Sequence, residues 1–313
     1  MMTGKLYIDR KDAFTNWGIY AQAQGWNELL SYPPLKTPEA NDWQEEDGID
    51  PDLSAPVLNT REVTVRFAYS GDFNRLEGLV AVLSDGAYHE FDIASIGRKF
   101  SLRMTQTPNL DIYRELGFIN IKFADDFPMK GDDYTSPESS LQRTEDYLLD
   151  GVPFTNYGCR ILKGTLSEIV KPSAVKQNLL RNIASQPGVI YDNGPVTFKA
   201  KDVKLSCLMR AETLQELWRN YDALLFDLIR PDERILGVKE LQSIFPCHYK
   251  SANVTGFYPE GKIWLAFTLT LTFTHSFRLD NSAAVLATED GVPIASEDFE
   301  FSFNCIPQKQ SAK

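Results

Sequence analysis

The chain has 313 residues, a formal net charge of −11, and 43% hydrophobic and 24% charged residues. That length predicts about two domains, each able to bury a core without metal or disulfide staples. The acidic balance argues against a surface that grips nucleic acid, which needs a basic stripe, and no run approaches the roughly 20 apolar residues of a transmembrane helix.

In chain order, Leu6–Asp9 reads as a short strand and Arg10-Lys11-Asp12 as a turn. Phe14-Thr15-Asn16-Trp17-Gly18 follows, expected within a first hairpin, then an alternating strand over Ile19–Ala23, with Gly25 allowing a turn or bulge before the next strand. Residues 33–56 form a long connection rich in proline and acid, carrying Trp43, Glu45, Glu46, Asp47, Asp50 and Asp52. It is either a solvated loop or an interaction loop; loops this long in compact domains are more often functional than idle. Arg61–Phe67 alternates with period two, placing Val63, Val65 and Phe67 on one face. A helix follows, with Asp72 as its cap and Phe73, Leu76, Val80 and Leu83 as its apolar stripe. Gly78 weakens it by about 1 kcal/mol relative to alanine. His89–Ile93, Phe100–Met104 and Phe118–Phe123 are the remaining strand candidates of this half.

After residues 124–147, a linker rich in Asp, Ser and Pro, the chain repeats itself. Phe154-Thr155-Asn156-Tyr157-Gly158 restates Phe14–Gly18 at an offset of 140 residues. At the same offset Glu28-Leu29-Leu30 falls on Glu168-Ile169-Val170, Leu35-Lys36 on Val175-Lys176, and Leu58–Val65 on Phe198–Leu205. A match that stays in phase for about fifty residues, apolar on apolar and charge on charge, predicts two copies of one domain. The framework residues of the repeat are Phe14, Gly18, Phe154 and Gly158, and the copies differ most over Pro172–Pro195, which is less acidic and more apolar than its counterpart. In the second copy Val203, Leu205 and Cys207 face one way. Thr213 and Glu216 make a capping box, and Leu214, Leu217, Trp218, Tyr221, Leu224, Leu225 and Leu228 form a helical stripe. Arg234–Val238, Phe245–Tyr249 and Trp264–Phe273 are its later strands. The fold class expected is mainly β with one helix per repeat (α+β). The domains are 1–123 and 148–281, and a 282–313 extension carries one extra strand, Phe299–Phe303.

Chemistry is sparse. The sequence has no nucleophile elbow, HExxH motif, phosphate loop or dinucleotide fingerprint. His89, His248 and His275 lack ligand spacing and read as partly buried or surface side chains, while Cys207 and Cys247 read as small core residues. Asp125/Asp126 and Asp132/Asp133 fall in the linker, which is not expected to hold two carboxylates at a fixed separation. Trp17, Trp26, Trp43 and Tyr20 read as core or interface anchors, with a sugar-binding or host-recognition surface as the alternative. No catalytic residue, metal or cofactor is expected. Met1–Lys5 lacks the apolar stretch of a signal peptide, so the product is expected to be made in the cytoplasm and to stay soluble.

The duplicated framework, with its Phe14–Gly18 and Phe154–Gly158 phrases, its Glu46-Asp47-Gly48 loop and its helix after Val63–Phe67, resembles the ring-forming domain of tailed-phage distal tail (baseplate hub) proteins. More broadly it resembles the tail-tube fold shared with type VI secretion tube proteins. The resemblance spans roughly residues 5–125 and 148–280 and is one of pattern. It implies tandem tail-tube-like β-sandwich or partial-barrel domains in a virion tail, forming a homo-oligomeric ring that contacts tube, tape-measure, hub or fibre proteins. DNA would pass through without specific binding, and the −11 charge adds the expectation of an acidic channel wall that repels it. A second copy stands where the family has a different C-terminal module, so either three chains make a pseudo-six-fold ring or six make two stacked rings.

Overall fold

The computed structural model describes residues 2–275, apart from 23, 72, 114–115, 129–132, 178–179 and 192–193. The expected cap Asp72, Leu179, Asp132, the strand Phe299–Phe303 and Cys305 lie outside the described residues. The first half contains β1 (Tyr7–Ile8), β2 (Lys11–Asp12), α1 (Ala13–Trp17), β3 (Ile19–Ala21), α2 (Asn27–Leu30), β4 (Ala40–Asn41) and β5 (Asp50–Pro51). It continues with β6 (Arg61–Ser70), α3 (Phe73–Leu83), β7 (His89–Ile93), β8 (Arg98–Met104), β9 (Asn109–Tyr113) and β10 (Leu116–Asp125). The second half contains β11 (Tyr147–Leu149), β12 (Val152–Pro153), a 3₁₀ turn (Phe154–Tyr157), β13 (Cys159–Ile161), α4 (Thr165–Val170), β14 (Leu180–Asn182) and β15 (Val189–Tyr191). Then come β16 (Lys201–Ala211), α5 (Leu214–Leu228), β17 (Arg234–Val238), a second 3₁₀ turn (Lys239–Leu241), β18 (Ser243–Tyr258) and β19 (Ile263–Phe273). The fold is mainly β with a few helices.

One sheet runs β2-β1-β7-β8-β10-β6-β3, with β9 also on β10; the other runs β12-β11-β17-β18-β19-β16-β13. Element for element the two orders are the same. Both halves close their first connection in the same way. Gly18 (φ 71°) and Gly158 (φ 68°) are left-handed, and their carbonyls accept the Ser70 and Arg210 N–H groups at 2.8 and 2.9 Å. A Cβ at Gly18 would lie 2.4 Å from Ser70 O, and one at Gly158 2.8 Å from Arg210 O, so the ends of β6 and β16 leave room only for glycine.

Several local expectations need correction. Phe14–Trp17 lies in a helical turn, not in a hairpin strand: the Asp12 carboxylate caps it through the Thr15 N–H at 2.6 Å, and Gly18 terminates it. Glu28–Leu30 and Glu168–Val170 lie in short helices where a strand was expected. Adjacent Leu29 and Leu30 are both buried, which a strand with one solvent face does not permit. The α3 stripe is Leu76, Leu79 and Leu83, with Phe73 exposed and Val80 half-buried. β18 is sixteen residues long, not five, and breaks its alternation at register shifts between Tyr249 and Ser251 and between Val254 and Gly256. Helix α5 keeps its expected stripe and cap, with the Glu216 N–H donating to Thr213 Oγ1 at 3.1 Å.

Asp125 belongs to β10, not to the linker. Residues 133–146 lie outside regular structure but rest on α5: Glu138 N–H donates to Asn220 Oδ1 at 2.9 Å, and Arg219 Nη2 donates to Glu138 O at 2.6 Å. Buried apolar side chains of both halves form one continuous cluster.

Candidate assembly surface

The two halves meet head to tail: the loops and α2 of the first lie on the strands and helix of the second. Tyr32 stacks on Tyr221 with ring centroids 4.0 Å apart, and its hydroxyl donates to Tyr221 O at 2.5 Å. The Tyr221 hydroxyl donates back to Leu30 O at 2.9 Å, and that of Tyr249 to Pro33 O at 2.8 Å. Burial pushes all three phenols above the usual tyrosine range, so they stay neutral donors. Arg98 forks onto Asp222 at 2.8 and 2.5 Å and lies over the Trp218 ring at 4.5 Å, while Trp218 Nε1 donates to Ile96 O at 2.6 Å. At the C-terminal cap of α2, Ser31 Oγ accepts the Val254 N–H at 2.8 Å.

The acid-rich loop supplies a clasp. β4 and β5 form a small hairpin whose tip reaches the second half. Lys176 is only 2% exposed beneath it. Its ammonium donates to Trp43 O and Gly48 O, both at 2.7 Å, and pairs with Asp42 Oδ1 at 2.5 Å. Thr197 Oγ1 donates to Gln44 O at 2.7 Å, and the Phe198 N–H donates to Asp47 Oδ1 at 2.8 Å. The Gly48 and Ile49 N–H groups donate to Phe198 O and Thr274 O, each at 2.8 Å. Gly48 (φ 78°) is pressed so close that a Cβ would sit 1.8 Å from Thr274 O.

Of the expected loop residues, the structure brings Trp43 and Asp47 onto the second half through the Trp43 carbonyl and the Asp47 carboxylate; the Trp43 side chain is exposed. Glu45 and Glu46 face solvent, Asp50 lies in β5, and Asp52 has its carboxyl pKa lowered by the Ser54 hydroxyl and then by the Ser54 N–H, which donates to it at 3.0 Å. Framework residue Phe14 packs edge-on against Tyr20, and Phe154 is buried. Sequence reasoning aligned Lys36 with Lys176 but saw no role for either. It also missed Tyr32, whose only local signal is an aromatic residue before a Pro-Pro pair.

The remaining polar clusters are structural. Asp125 pairs with Arg61 at 2.8 Å, and Arg61 also donates to Leu29 O and Ser31 O. Asp126 accepts from Tyr88 at 2.6 Å and from Arg103 at 3.0 Å, which holds its carboxyl below the usual range, the Tyr88 bond first. Both carboxylates are thus held in place, contrary to the expectation of a loose linker. A cavity of about 600 Å³ lies beside the seam between Pro33, Arg61, Phe100, Tyr221 and Asp222, and its charged groups are already paired. His89 is buried between Asp9 and Asp85 at 2.6 and 3.1 Å. Asp9 also holds the Glu90 N–H, and in the second half Asp150 holds Arg234 and the Ile235 N–H in the same way. Cys159, Cys207 and Cys247 are buried free thiols. Among the described residues no group of three His, Cys, Asp or Glu side chains is placed to hold a metal, and no helix is long and apolar enough to cross a membrane.

No family model matches the chain, and no curated protein matches it. Among solved structures, the chain is similar to the crystal structure of SPP1 Dit (gp 19.1), described as a paradigm of the hub adsorption apparatus in phages infecting Gram-positive bacteria. The identity is 17% and the TM-score 0.32, over 41% of this chain and 49% of that one, about half its length.

Proposed function

We propose that the chain is a structural component of a phage or prophage tail tip or baseplate, built from two tandem tube-like domains. It forms a ring that joins the tail tube to the tip and lets DNA pass. The observation that carries this reading is the pair of sheets with one strand order, joined by a clasp in which one half's loop closes on the other half's strand ends. An interface between unlike surfaces can be continued by the next molecule and, where the rotation closes, makes a ring. The tail assignment itself draws on the resemblance of the Phe14–Gly18 and Phe154–Gly158 framework to distal tail proteins. Three chains would supply six such domains.

The direct test is mass spectrometry of gradient-purified particles from an induced host, with immunogold labelling of the intact chain. Label at the tail tip is expected. Particles that assemble complete tails without this chain would remove the reading. The glycan-binding alternative draws on the exposed Trp43 indole, and a glycan array without binding closes it.

A further inference from the structure

We propose that this chain docks head to tail on a second copy of itself. The β14–β15 hairpin and α4 of one molecule close over Lys36, Leu58 and β9 of the next. The inference rests on the assembly reading above and names the surfaces that would carry it.

The first support is that the clasp's two components each occur twice, and among the described residues only one of each is used. The hairpins share a register 140 residues apart: Ala40 opposes Pro51 and Asn41 opposes Asp50, as Leu180 opposes Tyr191 and Arg181 opposes Ile190. Their tips turn alike, with Glu46 N–H on Trp43 O and Gln186 N–H on Ile183 O, and with Gly48 and Gly188 at φ 78° and 83°. The receiving sites match too. Lys36 and Lys176 donate their N–H groups to Val57 O and Thr197 O, both at 2.8 Å, and Leu35–Leu58 and Val175–Phe198 form equivalent bridges.

Burial separates the used components from the unused. Under the clasp Thr197 is 2% exposed; its counterpart Val57 is 52% exposed. Lys176 is held by three oxygens, whereas Lys36 is exposed and its ammonium has no partner among the described residues. Gly48 is pressed onto a carbonyl, whereas the would-be Cβ of Gly188 meets nothing within 4 Å. The unused hairpin presents Val189, Ile190 and Tyr191 to solvent.

A second part of the seam repeats the pattern. Val254 of β18 opposes Phe267 and is 3% exposed beneath α2; the matching Leu110 of β9 opposes Ile119 and is 39% exposed. By the same correspondence α4 takes the place of α2 on the next molecule. Ile183 O, Gly188 O and Asn182 Oδ1 would receive the Lys36 ammonium. Asn182 and Pro187 stand where the first hairpin has Asp42 and Asp47, so the junction between molecules has fewer charged contacts than the clasp within one.

The test uses the full-length chain and two single variants, Gly188→Ala and Lys36→Glu, followed by native mass spectrometry and sedimentation across a concentration series. Wild type is expected to self-associate, and each variant to stay monomeric, Lys36→Glu with an unchanged melting curve and Gly188→Ala with only the small downward shift that alanine at φ 83° brings. Mixed together, the two variants should form heterodimers that do not grow, because one intact hairpin then meets one intact lysine site. Wild type that stays monomeric throughout overturns the inference. Cross-links in the monomer from the 180–191 hairpin to another part of the same chain also overturn it, since the hairpin would then be covered already. Variants that assemble like wild type overturn it as well, while leaving a tail ring built on some other surface. Particles lacking the chain would remove the tail reading without touching the heterodimer result.

Discussion

Replacing Lys176 with methionine tests whether the clasp holds the two halves together. Methionine keeps most of the stem but leaves Trp43 O and Gly48 O, which the ammonium meets at 2.7 Å each, without their donor. An unsatisfied buried acceptor costs about 1–3 kcal/mol. Asp42 is half exposed and can hydrate, so it adds little. The expected loss is therefore about 2–5 kcal/mol, a large share of the roughly 5–15 kcal/mol that stabilises a domain. The control is Lys36→Met at the equivalent, uncovered position, expected within about 0.5 kcal/mol of wild type at dilution. Urea unfolding gives the two energies. Hydrogen exchange localises the change to the Gly48 and Ile49 amides, bonded across the seam at 2.8 Å. Equal losses for the two variants, or unchanged exchange at Gly48 and Ile49, would refute the reasoning.

Other outcomes follow from the same packing. Tyr157→Phe removes the 2.6 Å bond to the buried Asp227 carboxylate and should cost about 1.5–3 kcal/mol by denaturant unfolding, with no cavity to confuse the result. Tyr32→Ala removes a ring packed against Tyr221, Tyr249 and Phe267 and should cost about 3–5 kcal/mol; calorimetry should show two transitions in place of one, and a single unshifted transition would count against the shared core. His248 is held below the usual histidine range chiefly by burial, with Asp202 and Lys250 pulling in opposite directions. The unfolded chain therefore takes up a proton that the folded chain refuses, and stability falls as pH drops below about 6.5 towards the folded value. His248→Gln should flatten that part of a stability–pH curve, and an unaltered slope would exclude the assignment.

The strands with strict alternation, Val63–Phe67, Val203–Cys207 and Leu265–Phe273, were legible from residue pattern because one face of each is core and the other is not. Helix α5 was legible for the same reason, with its cap written into Thr213 and Glu216. The reading failed where simple alternation does not hold. Bulges carry β18 past its alternation, and the Asp12 carboxylate caps Ala13–Trp17 into a helical turn. Sequence also paired Lys36 with Lys176 and could go no further. Each lysine follows an apolar residue, Leu35 or Val175, and makes the same backbone bond to the opposing strand. Only the tertiary structure decides that one is buried and the other exposed, because the difference lies in whether a hairpin from elsewhere in the molecule lies across it.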